Sequence, residues 1–533
     1  MFCNFAAVYS GRNGERSGFT KKNEMKLLRL LVCLLILLGI SVESDAMVCK
    51  RIMINPNKPI SQQITREKAI YIVRDDVDLK GETLVFPNKS TIRFAGGSLC
   101  NGTIIGNNTK LSGDVKCYTD IGGTYKNKSF KAEWFNKSTT NLSEVLNKII
   151  ATNVNDIIIG EGNWRVFETV YLKSNLIIRG EKNTVITIDR EKLTGPFSLF
   201  RTDGTVLKFD DQYKYANITI KDLTVDENGS NSLGKTSAIY LCNAENVAIK
   251  NCRFIDHQSD SYANYVTAAV TLYNCYKCTI KSCYTEYVRL SSMGFCVKCT
   301  AAKNKGYNSP GTWLESCDGC GLVYEWNELH ENLFPGNSSI SQNSKNGIIR
   351  NNTIIVNGKM VDSMINIGHP TNEVYENSGD GCVIEGNVIK TNASKGIIVW
   401  GSSKSKNVVI KNNYIYSKSK HAIYVSEEIP SITIVNNKII GHDENQVLLY
   451  IRSNNSVIQK NSISTSTPGV SYVPIRISRS DMKGTTRIEK NIIDNGGKVV
   501  DNNNESNLDI AVDECLLEKN TIKDGIQVKT IKQ

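Results

Sequence analysis

One short pattern of apolar and polar positions recurs through residues 218–522. It reads apolar, any, apolar, any, any, Asn, any, apolar, and it is clearest in three segments: 347–354, 408–415 and 432–439. Successive copies lie between 21 residues (Cys283 to Asn304) and 35 residues (Asn352 to Asn387) apart. A period in this range is typical of a solenoid. Alternation at every second residue, rich in Ile and Val, predicts that its units are strands.

A second strand-like piece precedes the asparagine in each repeat, as in residues 238–241, 269–272 and 422–425. Two or three short strands joined by polar bends wind one coil. Each coil then pairs with the next as a parallel sheet, at a spacing of about 4.8 Å. The recurring asparagine lies at a bend, where a stacked amide can hydrogen-bond its neighbours above and below and tolerate left-handed backbone. The pattern therefore predicts an all-β solenoid.

This repeat resembles the right-handed parallel β-helix superfamily, the pectin-lyase-like fold. That superfamily includes pectate lyases, polygalacturonases, alginate epimerases and phage tailspikes. The segment 96–109 also resembles N-terminal regions of secreted β-helix proteins of gut Bacteroidetes. The resemblance implies a right-handed parallel β-helix with an N-terminal β-cap and one capping helix, but it does not select an activity, because these folds host many chemistries.

The first 46 residues predict export. A basic segment with Lys26 and Arg29, an apolar run at 30–40 and a small-x-small site at 44–46 together indicate a secretory signal, preceded by an upstream extension. The apolar run is too short for a confident membrane span. We expect the mature protein in the periplasm, on the outer surface or secreted. The predicted division of the chain is 1–46 for extension and signal, 47–130 for a β-rich cap and 131–533 for the β-helix.

Residues 138–151 predict the one strong helix. Asn141 and Glu144 suit a capping box. The apolar residues of one stripe are Leu142, Val145, Leu146, Ile149 and Ile150. The open end of a solenoid exposes unpaired backbone and core, so we expect this helix to close the N-terminal end.

The net charge favours an acidic partner. Removal of residues 1–46 takes away six basic and four acidic residues and lowers the charge from +11 to +9. Uronic or sulfated glycans are such partners, while a charge that only serves solubility is the alternative. The lysines are dispersed rather than grouped in blocks, which disfavours nucleic acid.

Ionisable side chains concentrate at one predicted corner of the first coils. The candidate catalytic residues are Asp256, His257, Glu286, Glu315 and His330. Carboxylates one or two coils apart would be about 5–10 Å apart, which spans the separations of both glycosidase classes. The alternative is a solvated corner, where polar residues are expected without any function.

Aromatic and basic residues nearby predict a sugar-binding wall. Trp313 and Glu315 are expected to point outward on either side of Leu314, although Trp313 packed beneath an insertion loop is an alternative. The candidate substrate-binding residues are Tyr287, Arg289, Tyr307, Trp313, Trp400 and Arg476. Tyr424 and Arg452 extend this wall. Polygalacturonase motifs are only partly matched, at 368–370 and 476–478, so no catalytic residue is carried over from that family. No metal site is assigned, and calcium is left open as a cofactor.

Three Cys-x-x-Cys pairs follow one another at intervals of 21 residues and are expected to stack. They are Cys275/Cys278, Cys296/Cys299 and Cys317/Cys320. A ladder of small buried residues is the favoured interpretation. Disulfides between coils and a thiolate metal site stay open.

The sequence thus predicts an exported polysaccharide-active enzyme, a lyase or a glycoside hydrolase, acting on an acidic glycan. The alternative is a non-catalytic glycan-binding or structural surface β-helix. One observation tests the enzymatic role of this column: whether Asp256, Glu286, Glu315 and His330 converge in one cleft or scatter around the rod, which would rule that role out.

Overall fold

The structure is a computed structural model, in which residues 51–533 form one compact unit. It describes residues 49–136, 141–193, 195–204, 212–229, 236–257, 267–333, 338–358, 362–368, 379–392, 395–400, 405–426, 429–453, 455–470, 472–477 and 486–494, and the backbone of four later strands, 508–511, 515–518, 521–522 and 529–531. The predicted upstream extension and signal, 1–46, lie outside the described residues.

Three long parallel sheets, called sheets I, II and III here, each gain one strand with every coil. Sheet I contains Phe130–Lys131, Asp156–Ile159, Ile177–Gly180, Thr219–Lys221, Ala248–Lys250, Thr279–Lys281, Thr300–Ala302, Val323–Glu325, Ile348–Arg350, Val383–Glu385, Val408–Lys411, Ser431–Val435, Asn455–Gln459, Thr486–Glu489 and Cys515–Glu518. Sheet II contains Gly162–Val166, Thr184–Ile188, Thr224–Asp226, Arg253–Ile255, Tyr284–Glu286, Lys305–Ser309, Glu328–Asn332, Thr353–Val356, Val388–Thr391, Tyr414–Ser417, Lys438–Gly441, Ser462–Thr465, Ile492–Asp494 and Thr521–Ile522. Sheet III contains Val170–Tyr171, Phe197–Arg201, Thr236–Cys242, Ala268–Tyr273, Arg289–Gly294, Leu314–Cys320, Ser338–Lys345, Ser363–Ile367, Lys395–Val399, Ile423–Val425, Gln446–Ile451, Tyr472–Ile477, Leu508–Ala511 and Lys529–Ile531. The chain is the all-β, right-handed parallel β-helix that the sequence predicted.

A seven-stranded sheet precedes these coils. Its strands are Arg51–Met53, Ile70–Val73, Val77–Asp78, Thr83–Val85, Thr91–Phe94, Leu99–Gly113 and Cys117–Tyr125. The smaller elements are helix α1 (Ile60–Gln63), two 3-10 turns (Ala132–Trp134 and Arg190–Lys192) and a pair of short strands (Tyr215–Ala216 and Ala244–Glu245).

Helix α2 (Leu142–Ile150) is the predicted amphipathic helix. The Asn141 side chain accepts a hydrogen bond from the Glu144 backbone N–H (3.4 Å). Leu142, Val145, Leu146 and Ile149 are buried. The helix contacts the first strands of sheets II and III, so its apolar stripe covers the start of the coil stack.

Alternation along each strand separates the core from the surface. In sheet II, five buried isoleucines stack on one another in successive coils: Ile354, Ile389, Ile415, Ile439 and Ile463. Full burial of such a side chain contributes about 1.5–3 kcal/mol. The residues on either side of each isoleucine face outward, and these outward columns are the surfaces available for function.

The recurring asparagine forms a buried ladder at the corner between sheets I and II. Its members are Asn304, Asn327, Asn352, Asn387, Asn413, Asn437, Asn461 and Asn491. In Asn352, Nδ2 donates to Oδ1 of Asn387 in the next coil (2.9 Å) and to the carbonyl of Tyr324 in the preceding coil (2.9 Å). The ladder therefore satisfies buried polar groups along the axis of the stack.

The left-handed backbone falls on the residue before the ladder and not on the ladder asparagine. Asn351, Asn412 and Trp326 have φ of 54°, 57° and 56°. The side chain at this position turns outward, and Trp326 is 57% exposed there. The sequence pattern identified the bend, but it assigned the unusual backbone to the neighbouring residue.

Cysteine replaces asparagine at the start of the ladder. Cys252 Sγ donates to the carbonyl of Ile220 and Cys283 Sγ to that of Ile249, each at 3.8 Å. All cysteines of the described residues are unbridged, and most are buried. For the first two Cys-x-x-Cys pairs the interpretation as a ladder of small buried residues is confirmed, and no disulfide joins the cysteines from Cys49 to Cys382.

The third Cys-x-x-Cys pair does not stack on the other two. Tyr276 pairs with Val297, which aligns the first pair with the second, but Val297 then pairs with Cys320. The coil from Thr300 to Val323 has 23 residues, whereas the preceding one from Thr279 to Thr300 has 21. Equal spacing in the sequence therefore gave the wrong register for Cys317 and Cys320.

Candidate functional site

The predicted corner column lies on the outer face of sheet II. Register places Ile255, Glu286, Tyr307 and His330 side by side in four successive strands. The residue next to a column member within its strand, such as Leu329 beside His330, is buried. The alternation thus brings together Glu286, Tyr307 and His330 as expected.

Ion pairs already engage the charged groups of this column. Glu286 pairs with Arg253 (3.2 Å) and accepts a hydrogen bond from the Tyr284 hydroxyl (3.0 Å). His330 Nε2 lies 2.6 Å from Glu328 Oε1, and Lys305 Nζ lies 3.0 Å from Glu328 Oε2.

The contacts of His330 affect the pKa of Glu328 and the packing of a neighbouring ring. The hydrogen bonds from His330 and Lys305 hold the pKa of Glu328 below its ordinary value. The ring of Tyr307 stacks on His330 with centroids 5.1 Å apart. The sheet II column is therefore a network of satisfied side chains.

Asp256, His257 and Tyr287 lie in the turns that follow sheet II strands. The buried Asp256 carboxylate accepts hydrogen bonds from the backbone N–H groups of Gly229 and His257. The His257 side chain is 67% exposed, with Nε2 4.0 Å from Asp226. Tyr287 has φ of 56° in the short turn into sheet III. Asp256 thus acts in the structure as an acceptor for turn backbone.

Glu315 and Arg289 face outward from sheet III. Arg289 Nη2 lies 2.5 Å from Glu315 Oε2, and Arg289 Nε donates to the carbonyl of Thr312 (2.7 Å). Ser292 Oγ is 3.4 Å from the same Glu315 oxygen. Arg289 is 12% exposed and Glu315 31%. This ion pair is the most sheltered one among the predicted site residues.

The four residues expected to share a cleft are divided between surfaces. Glu286 and His330 lie on sheet II, Glu315 lies on sheet III, and Asp256 lies in a turn. No hydrogen bond or ion pair of the described residues joins Glu315 to the other three. Because they lie on different surfaces, the four residues do not form a single catalytic group.

Trp313 was expected to face outward, and that expectation is wrong. Its side chain is fully buried, and Nε1 donates to Thr285 Oγ1 inside the coil (2.8 Å). Alternation does not apply because the strand begins only at Leu314. The indole occupies the space left by Gly306, where a Cβ would clash with it. Trp313 cannot serve as a sugar platform in this structure.

One column of side chains on the side of sheet III away from the core continues through eight successive strands, and its central members Ser341, Asn366 and Ile398 are buried. Register aligns the following residues in successive strands: Ser292, Glu315, Ser341, Asn366, Ile398, Tyr424, Tyr450 and Arg476. We call this column, together with Arg289, Asn343 and Trp400 beside it, the sheet III face. Three predicted substrate-binding residues, Arg289, Trp400 and Arg476, belong to it.

The rings of the sheet III face form a stack. Tyr424 and Tyr450 lie parallel, with centroids 5.5 Å apart and 8° between planes. Trp400 lies 5.9 Å from Tyr424. His421 packs against both tyrosines, and burial with nearby cations lowers its pKa. Ser341, Asn343, Asn366 and Tyr450 were missed from the sequence, although outward alternation in strands 338–345 and 363–367 could have indicated the first three.

Metal ligands and membrane helices were sought across the described part of the chain. No group of three or more His, Cys, Asp or Glu side chains there could hold a metal ion. None of its helices has the length and apolar character needed to cross a bilayer.

Comparison with known proteins supports the fold. A family described as periplasmic copper-binding protein (NosD) matches residues 256–448, and a right-handed β-helix region matches residues 372–530. Neither match reaches half of the chain. No curated protein matches the sequence. In the described part of 256–448, the side chains do not form a cluster suited to a copper ion.

Solved structures that are similar to this chain include an epimerase, a surface adhesin and a phage tailspike. The A-module of mannuronan C-5 epimerase AlgE6 from Azotobacter vinelandii shares 13% identity, with TM-score 0.43, over 74% of this chain and 100% of that one. The surface adhesin PfbA of Streptococcus pneumoniae shares 16%, with TM-score 0.44, over 69% and 91%. The tailspike of Escherichia coli bacteriophage HK620, solved with a pentasaccharide, shares 12%, with TM-score 0.41, over 67% and 75%. At these identities the likeness concerns the fold alone.

Proposed function

We propose that this protein is exported and binds a polysaccharide along the sheet III face. The observation that carries the proposal is the register-aligned column from Glu315 to Arg476, whose two ends are partly exposed. It crosses six strand spacings, or about 29 Å. The partly exposed groups at its two ends lie far enough apart to contact a polymer rather than a single small molecule.

The two ends of the face offer different contacts. The stacked rings of Tyr424 and Tyr450 provide an apolar platform for the C–H faces of sugar rings. Amides, hydroxyls and Glu315 provide hydrogen bonds to sugar hydroxyls. Arg476, paired in register with Tyr450, and Arg289 suit the carboxylate of a uronic acid. The substrate class that fits is an acidic polysaccharide.

The reaction that fits this face is β-elimination from a uronic acid. Arg289 would bind the uronate carboxylate and release Glu315 from its present ion pair. Glu315 would then take the proton α to that carboxylate as general base. A double bond forms between the α and β carbons, and the bond between the β carbon and the glycosidic oxygen breaks. The leaving oxygen takes a proton from water, and Glu315 returns its proton to solvent. Hydrolysis needs two carboxylates, whereas Glu315 is the one carboxylate of the column between Ser292 and Arg476.

Binding without catalysis is the second candidate. The specific observation in its favour is that Glu286 and His330 lie on sheet II in ion pairs of their own. Glu315 is itself paired with Arg289. In this case the same face would hold the glycan and no bond would break.

A digestion and binding panel tests both candidates. The protein is incubated with alginate, polygalacturonate, chondroitin sulfate and a neutral glucan, with and without calcium. Ultraviolet absorbance of a new double bond indicates a lyase, and reducing ends without that absorbance indicate a hydrolase. Binding without products supports the second candidate. The absence of both products and binding with every glycan would overturn the proposal.

Two matched variants locate the site. Glu315→Gln should abolish products and leave the fold intact. Glu325→Gln is the control, because Glu325 forms a comparable ion pair with Arg350 on sheet I (2.6 Å). If both variants retain full activity, catalysis does not take place at Glu315.

A further inference from the structure

Two amide oxygens on the sheet III face accept no hydrogen bond from the part of the chain that the structure describes. They are Oδ1 of Asn343 and Oδ1 of Asn366. The side chains are only 4% and 9% exposed. A buried acceptor left unpaired costs about 1–3 kcal/mol. Folded proteins rarely retain such groups, so each one requires an explanation.

The nitrogen atoms of the same amides donate to neighbouring groups. Asn366 Nδ2 donates to the carbonyl of Gly368 (3.1 Å) and to Ser341 Oγ (3.3 Å), and Asn343 Nδ2 donates to Ser341 Oγ (3.4 Å). The Gly368 carbonyl can only accept, so its bond sets the orientation of the Asn366 amide. As a result, two amide oxygens remain available as acceptors near Ser341, which lies beside Glu315 in register, while Asn343 Nδ2 uses one of its two N–H groups in a described bond.

We infer that Asn343 and Asn366 form a subsite that accepts hydrogen bonds from the hydroxyl groups of one sugar ring. The inference rests on the proposed polysaccharide-binding function and specifies the chemistry of its centre. A carboxylate or sulfate would face two acceptor oxygens here, so the subsite excludes anionic groups. Those groups are directed to Arg289 on one side or Arg476 on the other.

A divalent cation fits this subsite less well than a hydroxyl donor. Calcium takes six to eight oxygen ligands, usually with several carboxylates. The carboxylate nearest in register is Glu315, whose charge is neutralised by Arg289. Solvent scarcely reaches either amide oxygen, so a ligand must widen the space around them.

Replacement of Asn343 by leucine tests the inference with two readouts. Asn343→Leu removes an unpaired acceptor and gives up only one long hydrogen bond, so the melting temperature should stay unchanged or rise. Affinity for polygalacturonate or alginate hexasaccharides should fall at least tenfold in calorimetric titration. Asn352→Leu is the matched control: this ladder asparagine is fully bonded, and its loss should lower the melting temperature.

The outcomes separate this inference from the proposed function. If Asn343→Leu destabilises the protein as much as Asn352→Leu, or leaves affinity unchanged, the subsite is overturned. Tyr424→Ala reports on the aromatic platform alone. Weaker binding by Tyr424→Ala together with wild-type binding by Asn343→Leu would overturn only the subsite. Absence of any glycan binding by the wild-type protein would overturn both.

Discussion

Asn437 Nδ2 donates a hydrogen bond to Asn461 Oδ1 in the next coil (3.0 Å), and the Asn437 backbone N–H donates to the same oxygen (2.9 Å). Nδ2 also donates to the carbonyl of Ile410 in the preceding coil (2.9 Å). One buried amide therefore joins three successive coils. Its loss affects contacts in both directions along the stack.

Asn437→Ala should destabilise the protein markedly. Each buried group left unpaired costs about 1–3 kcal/mol, and the substitution leaves the Ile410 carbonyl without this donor. The midpoint of urea unfolding measures the effect. Asn163→Ala, at an exposed strand position, is the control and should change the midpoint little. Equal midpoints for the two variants would contradict a stabilising role for the ladder.

Gly306→Ala should disturb the coil that contains Trp313. The added Cβ would overlap the indole, and an overpacked core costs about 1–3 kcal/mol. The melting temperature and the tryptophan fluorescence should both change. Gly195→Ala is the control, because nothing lies within 4 Å of its added Cβ. An unchanged spectrum for Gly306→Ala would mean that the indole is not confined there.

Glu328 should make stability depend on pH. Its hydrogen bonds to His330 and Lys305 lower its folded-state pKa below the ordinary value of 4.5. A depressed carboxyl pKa stabilises the fold above the unfolded-state pKa, and that stability is lost as pH falls through the folded-state value. Glu328→Gln should therefore lower the melting temperature at pH 7, while the difference from wild type should vanish in strong acid.

The size of this effect should be small, because the Glu328 side chain is one-third exposed. Exposed ion pairs contribute about 0–1 kcal/mol. Glu444→Gln, at an exposed position, serves as the control across the same pH series. A difference that persists unchanged at low pH would show that Glu328 acts by packing and not by charge.

Thiol labelling should divide the cysteines by burial. Burial raises the pKa of Cys117 and Cys382 to about 12, and the thiolate is the reactive form. Iodoacetamide at pH 8 should modify the exposed Cys49 quickly and leave Cys117 and Cys382 unmodified until urea is added. Mass spectrometry of tryptic peptides measures this. Rapid labelling of Cys382 in the native protein would contradict its burial.

The repeat carried most of the information about the fold. Ladder residues such as Asn352 and Asn387 recur at the same place in each coil because their hydrogen bonds require it, so spacing alone located the corners. Helix α2 was also predictable, since a cap at Asn141 and an apolar stripe are local features. Local patterns of this kind survive whatever the length of the loops between them.

The candidate site was predicted only in part. The face of a strand on which a side chain lies depends on the residue at which the strand begins. Trp313 lies one residue before its strand, so alternation assigned it to the wrong side. Glu286 and Glu315 are close in sequence but belong to sheets II and III, which a linear pattern does not distinguish. Tyr450 belongs to the aromatic stack because it pairs in register with Tyr424 of the neighbouring coil. No local sequence motif indicates this pairing between coils.

The corner between sheets I and II has two residues in every described coil from Lys221 to Ile492, while the other two corners vary widely in length. New sequence can therefore enter the coil at two of its three edges, and the third is closed to it. A peptide grafted after Trp400 would lengthen an existing connection between sheets III and I. A peptide grafted after Asn412 would interrupt the two-residue corner whose Asn413 N–H donates to Asn437 Oδ1 in the next coil. Diversification of this scaffold, by evolution or by engineering, is thus confined to the borders of sheet III, the same sheet that carries the proposed glycan-binding face.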